Sequence, residues 1–392
     1  MRQPNVLIVT RELTGDRLYG IGRSIAPVAD ALSNNGWHIR YLCQEDLPAP
    51  AKARRTWWLT RLASLPGLSR APNRKQVLGA LAERLQMGWF AAATAKNQGF
   101  TSVHLHDPWL AAGFWLGLKA LRVRNVRWGI TEHGFGSYSR ATHDDGLLQG
   151  ASLQRWLRRM ESIILSRANW VTAPTQLALD ELARDLSLPF NPTHWRVIPH
   201  FVQPGGSMSK DQARQFLGWT EREFHLLGIG RLVPLKRFDI LVGAFAIVAS
   251  RHPSMHLHLL GDGDRPALQQ IADTAGVGDR ISFSVVDDVR PYLAAADVYV
   301  STSSTESFGL ANFEALLAGL PCVCTAVGGV PEVMGPGAWL IPLDQSALVQ
   351  VLEELFTKPD QLQLLSARAH TQARKFANLQ AVVDQYVELF KQ

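Results

Sequence analysis

The chain has few cysteines, and those it has exclude a disulfide scaffold. Cys43, Cys322 and Cys324 are the only three among 392 residues, and Cys322-x-Cys324 lacks the two-residue gap of a zinc or redox pair. The sequence also lacks an uncharged apolar run of 18 residues, so it predicts no membrane-spanning helix. Residues 1–4 lead straight into a strand-like run without the apolar region of a signal peptide. We therefore expect a protein of the reducing cytoplasm.

Common nucleotide and nucleic-acid signatures are also missing. The first strand-like run, residues 5–10, is followed by Gly20-Ile21-Gly22 rather than by Gly-x-Gly-x-x-Gly, which disfavours an NAD-dependent enzyme. A lone Gly-x-Gly in a loop before a helix is only weak evidence for contact with phosphate. The sequence contains no zinc spacing, RNP motif or clear helix-turn-helix, so we expect no nucleic-acid partner.

The residues that are present describe a folded chain with an uneven charge. Hydrophobic residues make up 46% and charged residues 19% of the sequence, which is typical of globular proteins, and the length suits two domains. Residues 1–200 carry 25 basic and 14 acidic residues, whereas residues 201–392 carry 15 and 20. Ten of the twelve tryptophans also lie in the first 200 residues. This asymmetry predicts that the first half meets an anionic surface or acceptor.

The stretch 301–334 has the pattern of strand, polar turn, helix, strand and glycine turn. Such a parallel βαβ unit places its ligand-binding loops at the carboxyl ends of the strands. Glu306 falls in the turn before the helix, and Glu314 falls within the first two turns of the helix. A helix N-terminus favours a phosphate, and carboxylates accept hydrogen bonds from sugar hydroxyls, so a nucleotide sugar would suit both. In isolation, the alternative is two solvated glutamates.

This stretch resembles the retaining GT-B glycosyltransferases of family 4, whose hallmark is Glu-x7-Glu in a longer pattern. The matching residues are Glu306-Ser307-Phe308-Gly309-Leu310, Glu314-Ala315, Gly319-Leu320-Pro321-Cys322 and Gly328-Gly329-Val330-Pro331-Glu332. The resemblance implies that Glu306 and the backbone of Phe308, Gly309 and Leu310 hold the donor sugar and phosphate. It also implies that Glu314 binds the ribose hydroxyls.

A second pattern of the same family begins at Gly230-Arg231-Leu232. In the family, the cations that correspond to Arg231 and Lys236 bind the donor diphosphate, and they lie here in a loop between a strand and a helix. The family usually has Lys-Gly, whereas Arg237 replaces that glycine in this chain. The loop after residue 283, which includes Val285, corresponds to the backbone that meets the nucleobase. Without the resemblance, exposed surface cations would be the simpler interpretation.

The first half resembles the family less closely. His133 lies in Thr131-Glu132-His133-Gly134, and the resemblance implies that it points at the donor sugar near the reacting carbon. The family also brings the loop of Gly20 and Gly22 near the donor phosphates and the acceptor. His104 and His106 share one face of a strand, but no third metal ligand is evident, so we favour a role without metal. The family's usual Asn-Gly is replaced by His200-Phe201.

Residues 47–76 are basic and rich in tryptophan. Basic residues lie on both sides of the pair Trp57-Trp58. They are Lys52, Arg54 and Arg55 before it and Arg61, Arg70, Arg74 and Lys75 after it. Such a pattern suits a bilayer interface, where tryptophan lies at headgroup depth and arginine pairs with lipid phosphate. The alternative is a solvated loop and helix whose tryptophans pack on their own domain. An anionic membrane surface that binds residues 52–75, on the inner face of the membrane, is thus one of two open interpretations.

The resemblance implies an α/β fold of the GT-B type, with two Rossmann-like parallel-sheet domains facing each other across a cleft. We expect an acceptor-binding domain at 1–202, completed by a C-terminal helix at about 376–392, and a donor-binding domain at 203–375. The last long helical segment is predicted at 360–390. Residues 137–150 are predicted to form a long loop that contacts the acceptor.

The function implied is retaining, metal-independent transfer of a hexose from a UDP- or GDP-sugar to a saccharide or lipid-linked acceptor. We expect no cofactor and no metal, since the nucleotide sugar is a substrate. His133, Glu306, Arg231 and Lys236 are the predicted catalytic residues, and surface polysaccharide or glycoconjugate biosynthesis is the expected setting. The alternatives are a nucleotide-sugar epimerase of GT-B type and a non-catalytic nucleotide-sugar-binding protein. The sequence leaves the oligomeric state open.

Overall fold

A computed structural model describes residues 3–15, 20–63, 72–144, 150–188, 192–203, 205 and 208–391. The chain divides into two compact units. The first comprises Met1–Phe201 with Leu379–Gln392, and the second comprises Val202–Asn378. The assignment of acceptor and donor binding to these two parts of the chain stays a prediction.

The first unit is built on a six-stranded sheet in which every neighbouring pair of strands is parallel. The strand order is β2-β1-β3-β4-β5-β6. Its elements are β1 (Asn5–Val9), α1 (Gly20–Asn34), β2 (His38–Leu42), α2 (Ala49–Ala63), α3 (Pro72–Gln98), β3 (Ser102–Leu105), α4 (Pro108–Ala120), β4 (Arg127–Thr131), α5 (Tyr138–Asp144), α6 (Ala151–Arg167), β5 (Trp170–Ala173), α7 (Gln176–Asp185) and β6 (Trp195–Val197). The central strands are buried along their whole length, as parallel strands covered by helices on both faces must be.

The second unit repeats this architecture with strand order β12-β11-β10-β7-β8-β9, again parallel throughout. Its elements are α8 (Lys210–Leu217), β7 (Phe224–Ile229), α9 (Phe238–Ala249), β8 (Met255–Leu260), α10 (Arg265–Thr274), β9 (Ile281–Ser284), α11 (Arg290–Ala295), β10 (Val298–Ser301), α12 (Leu310–Leu317), β11 (Cys322–Thr325), α13 (Val330–Met334), β12 (Ala338–Ile341), α14 (Gln345–Thr357) and α15 (Pro359–Ala373). β7 and β10 are neighbours in the sheet although β8 and β9 come between them along the chain. The sheet therefore grows in opposite directions from this pair, which makes a topological switch point.

The C-terminal segment differs from the single helix predicted at 360–390. The structure has two helices there, α15 and α16 (Leu379–Lys391), and residues 374–378 separate them. The apolar side chains of Val383, Tyr386 and Phe390 on α16 pack in one core with Val6 and Ile8 of β1. The break is therefore where the chain leaves the second unit and returns to the first.

Two other predictions about local structure are wrong. Gly20 and Gly22 are predicted in a loop, but they form the first turn of α1. The predicted long loop at 137–150 contains α5, while residues 145–149 lie outside the described part of the chain. Within the described residues, no helix is both long enough and apolar enough to cross a bilayer.

Candidate active site

The predicted donor residues of the second unit meet because of the sheet order. The loop that carries Lys236 follows β7, and the loop that carries Glu306 follows β10. Since β7 and β10 are neighbours, both loops leave the same edge of the sheet at the switch point. The Ser304 backbone N–H donates to the Leu235 carbonyl over 2.9 Å, which ties the two loops together directly.

Lys236 and Glu306 form an ion pair in this structure through Nζ and Oε1. Ser303 Oγ donates to the same carboxylate oxygen over 2.9 Å. The Thr302 hydroxyl lies 3.0 and 2.9 Å from the carbonyl oxygens of Lys236 and Arg237, to which it donates. The polar turn thus fixes the backbone of the Lys236 loop as well as the Glu306 carboxylate. The ammonium that is predicted to bind diphosphate is already held in place by a carboxylate.

Helix α12 begins without a side-chain cap. Its N-cap residue, Gly309, has the left-handed conformation with φ of +77° and offers no side chain to the first turn. Phe308, before it, is fully buried against Phe313 at a ring-centroid distance of 5.4 Å. Backbone N–H groups at such a terminus favour an anion. The site therefore combines a held cation with an uncapped helix N-terminus.

Glu314 lies on α12 and is almost fully buried, which contradicts the picture of a solvated glutamate. Burial is the main reason why the pKa of Tyr299 lies well above its usual value. The negative charges of Glu306 and Glu314 raise that pKa further. The Tyr299 hydroxyl donates to Asn312 Oδ1 over 2.8 Å. A neutral, buried tyrosine is therefore hydrogen-bonded to the first turn of α12.

Gly328 allows the Glu306 loop and the loop after β11 to touch. Its φ is +53°, and a Cβ atom there would lie 2.0 Å from the Glu306 carbonyl oxygen. The N–H of Gly329 donates to that same oxygen over 2.8 Å. Only a residue without a side chain fits this approach without moving the backbone of Glu306.

We expect Gly328→Ala to cost about 2–3 kcal/mol of stability, through its positive φ and its clash with the Glu306 backbone. We also expect nucleotide affinity to fall at least about tenfold, because Glu306 must move. Gly276→Ala is the matched control, since Gly276 has a φ of +71° and no atom lies within 4 Å of the position that a Cβ would take. Urea unfolding and nucleotide titration of both variants test this. Equal effects of the two substitutions would contradict a specific role for the Gly328 contact.

Arg237 occupies the position at which the family usually has the glycine of Lys-Gly. Its φ is +47°, in the left-handed region that glycine normally occupies. Its guanidinium pairs with Asp239 at 2.9 Å and is more than a third exposed. The strained backbone is therefore retained without the glycine, and the added charge is paired with a neighbour on the surface.

We expect Arg237→Gly to be more stable than Arg237→Ala by about 1 kcal/mol, because both lose the ion pair but only glycine relieves the positive φ. Thermal unfolding of the two variants measures this difference directly. An alanine variant that is as stable as the glycine variant would show that the backbone at 237 relaxes to another conformation.

Arg231 and Val285 lie on the loops after β7 and β9. The Arg231 side chain is exposed and, within the described residues, makes no ion pair, unlike Lys236. Val285 is 71% exposed and follows Ser284, whose carbonyl accepts from the Gly261 N–H over 2.8 Å. The structure places both residues on loops at the same edge of the sheet as Lys236. Their predicted contacts with diphosphate and nucleobase stay predictions.

In the first unit, His133 belongs to a cluster of four histidines. Its Nε2 lies 2.8 Å from His106 Nδ1, and the ring of His200 is nearly parallel to its own at a centroid distance of 5.3 Å. His104 packs edge-on against His106 at 4.8 Å. Burial lowers the pKa of His104 to about 3 and of His200 to about 4, and it lowers the pKa of His106 and His133 well below the usual value. The cluster is therefore neutral at neutral pH.

A carboxylate of the protein occupies the start of α1. Glu12 Oε1 accepts from the Gly22 N–H over 2.7 Å, and its other oxygen accepts from the Tyr41 hydroxyl. This N–H is one that a donor phosphate at Gly22 would need. The predicted phosphate contact at Gly20 and Gly22 would thus require Glu12 to move.

The first unit also contains two buried glutamates. Glu161 accepts from the N–H groups of Tyr138 and Ser139 at 2.8 and 3.3 Å, at the start of α5. Burial nevertheless raises its pKa to about 7. Glu132 is also buried, and burial raises its pKa well above the usual value. Within the described residues, no group of three or more histidine, cysteine, aspartate or glutamate side chains could hold a metal ion.

Several residues that shape the loops of Lys236 and Glu306 are not identified by the sequence motifs. These are Ser303, Thr302, Asn312 and Tyr299, which hold Glu306, Lys236 or the start of α12. From the sequence, the polar run Ser301-Thr302-Ser303-Ser304 is predicted only as a turn. Its position after a buried strand at a switch point is the signal that these hydroxyls bind backbone and carboxylate.

Comparisons with known proteins agree with this architecture. The family model described as Glycosyltransferase Family 4 matches residues 19–205, and the model described as Glycosyl transferases group 1 matches residues 223–358. A D-inositol 3-phosphate glycosyltransferase of Thermomonospora curvata is 30% identical over 320 residues, which is 73% of this chain and 72% of the relative. This chain spans less than two thirds of several other curated relatives, for example 64% of the one from Rhodococcus opacus.

Solved structures share the fold at lower identity. Sucrose-phosphate synthase from Thermosynechococcus elongatus superposes with a TM-score of 0.76 at 22% identity, over 100% of this chain and 99% of that one. Anabaena HepE in complex with UDP-glucose superposes with a TM-score of 0.73 at 16% identity, over 99% of both chains. With its two parallel-sheet units and these matches, the chain belongs to glycosyltransferase family 4 and has the GT-B fold.

Proposed function

We propose that this protein transfers a hexose, with retention at the anomeric carbon, from a UDP- or GDP-sugar to a saccharide or lipid-linked acceptor. The observation that carries the proposal is the contact of Lys236 with Glu306 beside the uncapped start of α12. An ammonium, a carboxylate and the backbone N–H groups of an uncapped helix together suit a ligand with both phosphate and hydroxyls. The name of the Thermomonospora relative supports glycosyl transfer, and the UDP-glucose in the HepE structure supports a nucleotide-sugar donor.

In the proposed mechanism, fixed charges stabilise the leaving diphosphate. Arg231, Lys236 and the N-terminus of α12 would face the negative charge that develops on the leaving oxygen as the glycosidic bond breaks. Two cations in place of a metal ion agree with metal-independent transfer. Glu306 would hold the donor sugar and Glu314 the ribose hydroxyls. Binding of the diphosphate would shift Lys236 from Glu306 towards phosphate, which frees the carboxylate for sugar hydroxyls.

We further propose that attack occurs on the same face from which the leaving group departs. The acceptor hydroxyl would pass its proton to the leaving phosphate oxygen as its own oxygen bonds to the anomeric carbon. His133 would steady the oxocarbenium-like sugar by orienting it with a hydrogen bond from a neutral imidazole, which adds no positive charge beside it. Trapping a covalent glycosyl-enzyme would overturn this scheme, because it requires a side-chain nucleophile on the opposite face.

Product analysis tests the reaction. The protein is incubated in EDTA with UDP-, GDP- and ADP-linked hexoses, with and without a panel of saccharide, inositol phosphate and lipid-linked acceptors. Transfer predicts nucleotide release that depends on one acceptor, and the anomeric coupling constant in the proton spectrum of the product should match that of the donor. Conversion of the donor sugar without any acceptor would identify an epimerase instead. Binding without turnover would favour a non-catalytic nucleotide-sugar-binding protein.

A lipid-linked acceptor would agree with the exposed face of α2, which contains no acidic residue. Trp57 and Trp58 are 47% and 53% exposed, so about half of each side chain is available to another surface, and Arg61 stacks on Trp57 at 3.9 Å. Gln86 donates to the Ala51 carbonyl over 2.7 Å and thereby fixes α2 on α3. We propose that this face binds an anionic bilayer as a peripheral site. Of the predicted segment 52–75, residues 64–71 lie outside the described residues.

Vesicle sedimentation tests the membrane proposal. Vesicles with phosphatidylglycerol should retain the protein, and vesicles of phosphatidylcholine alone should not. The double variant Trp57→Ala/Trp58→Ala should lose most of this binding, whereas Phe216→Ala, which removes a 71% exposed aromatic from the second unit, should keep it. Equal binding of both variants would contradict the assignment to α2.

A further inference from the structure

The ring of His133 contacts two other imidazole rings. His106 lies edge to edge with it, in nearly the same plane, with a centroid distance of 5.1 Å and an interplanar angle of 20° across the 2.8 Å contact of their nitrogens. The ring of His200 is nearly parallel to that of His133, at 5.3 Å and 13°. His106 and His200 are 3% and 8% exposed, whereas His133 itself is only partly buried. Two buried rings therefore constrain the orientation of a histidine that is still accessible.

His104, which packs against His106, is held in one tautomer. Trp170 Nε1 lies 3.0 Å from His104 Nδ1, and indole nitrogen can only donate, so His104 must accept at Nδ1. A neutral His104 then carries its proton on Nε2 and donates to Thr131 Oγ1 over 2.8 Å. Thr131 in turn lies 2.6 Å from the Thr172 hydroxyl. His104 is thus a fixed support against which His106 packs.

The donor and the acceptor in the contact between His106 and His133 can be assigned in the same way. One of the two facing nitrogens, His106 Nδ1 and His133 Nε2, must donate across the 2.8 Å. If His133 donated, the proton of His106 would be on Nε2, which is buried and has no partner among the described residues. A buried N–H without an acceptor is rarer and costlier than an acceptor without a donor. His106 is therefore the donor, and the proton of His133 lies on Nδ1.

We propose that His106 is a positioning residue that fixes, together with His200, the ring plane of His133 and its Nδ1–H tautomer. The proposal rests on the proposed function, in which His133 contacts the donor sugar. Besides burial, the groups that lower the pKa of His133 are His106, His200 and Arg11, and each of them disfavours imidazolium. His133 thus offers sugar oxygens an uncharged N–H donor of fixed direction. The family usually has asparagine at the position of His200. The contact between the rings of His200 and His133 is therefore a feature of this chain.

Nitrogen NMR of the protein labelled with 15N-histidine tests the tautomer without any substrate. The His133 signals are assigned in the wild type through bonds to the backbone, and their loss in His133→Asn confirms the assignment. We expect His133 as the Nδ1–H tautomer and His104 as the Nε2–H tautomer in the wild type at pH 7. His106→Asn, whose side-chain amide can donate from the position of Nδ1, should keep the His133 tautomer, and His106→Leu should give a mixture. An Nε2–H tautomer at His133 in the wild type would overturn the proposal, even if no variant folds.

Kinetics separate positioning from simple structural support. His106→Leu should lower kcat about 10- to 100-fold while the donor KM changes less than about threefold, because the misplaced ring matters in the transition state. His106→Asn should recover most of the rate, and His252→Asn, a substitution in the second unit, is the matched control. Equal loss in His106→Asn and His106→Leu would overturn the positioning role. Failure of every nucleotide sugar to react would refute the proposed function and leave the NMR result intact.

Discussion

Lys236→Ala should lower kcat/KM for the nucleotide-sugar donor by about 100- to 1000-fold, as expected when one fixed stabiliser of a developing anion is removed. In the structure this ammonium contacts Glu306, and its loop is held by the Thr302 hydroxyl. The substitution removes the cation and leaves the poorly exposed Glu306 carboxylate without its partner. Its charge would then oppose the diphosphate, so both binding and turnover should fall.

Lys358→Ala is the matched control for this substitution. Lys358 is an exposed lysine of the second unit that pairs with Glu354 at 2.9 Å, so its removal should change stability by at most a few tenths of a kcal/mol. Nucleotide release under saturating acceptor measures both variants, and circular dichroism checks that they are folded. A Lys236→Ala variant within threefold of the wild type would contradict the proposed diphosphate site.

The free energy of unfolding should fall steeply as the pH drops from 6.5 to 4. The buried histidines cause this, because burial lowers the pKa of His104 to about 3 and of His200 to about 4. The unfolded chain binds protons from about pH 6.5 downwards, and the folded chain does not, so acid favours unfolding. Each such histidine removes about 2 kcal/mol of stability at pH 5. His225 and His258 in the second unit, with pKa values lowered by burial to about 4 and about 3, act in the same direction.

Two carboxyls of the first unit oppose this trend. The pKa of Glu161 is raised to about 7 and that of Glu132 is raised well above its usual value, in both cases mainly by burial. A raised carboxyl pKa means stability that is present at low pH and is lost as the pH rises through the folded value. Acidification therefore restores part of what the histidines lose, but the histidines outnumber the carboxyls. The net change should still be a loss.

Urea unfolding at pH 7 and pH 5 measures this dependence. His200→Asn provides the matched variant, because it introduces the family's usual residue and removes one titrating group. Its loss of stability between pH 7 and pH 5 should be smaller than that of the wild type by about 2 kcal/mol. Equal losses in the two proteins would show that His200 is protonated in the folded state without cost.

The second unit can be predicted from the sequence almost element by element. Strands β8 and β12 are each an apolar run bounded by turn residues, a pattern that predicts a strand from sequence alone. The helix after Glu306 is also predicted, since Gly309 and Gly319 frame an apolar segment. Local pattern is sufficient here because buried parallel strands and covering helices each have a clear signature.

The remaining features depend on contacts that are distant in sequence. The sequence predicts Gly20 and Gly22 in a loop because glycine usually interrupts helices, but Glu12 and the core under α1 allow a helical turn there. The helical pattern at 360–390 hides a break, since the chain changes units at residue 378 and no local signal marks that change. Two contacts arise from strand order. Lys236 pairs with Glu306, which is 70 positions away in sequence, and His106 contacts His133, which is 27 positions away.

Titration of UDP, GDP and ADP into the wild-type protein in EDTA, followed by thermal unfolding, tests the central claim most directly. A ligand that binds only the folded state must raise the melting temperature. At about 100 times its Kd, one of the three nucleotides should stabilise the second unit by about 2.7 kcal/mol, or about 5–10 °C for a unit of this size. A shift with a uridine or guanosine diphosphate, without metal, is the result that we predict. No shift with any of the three would contradict a preformed diphosphate site at Lys236.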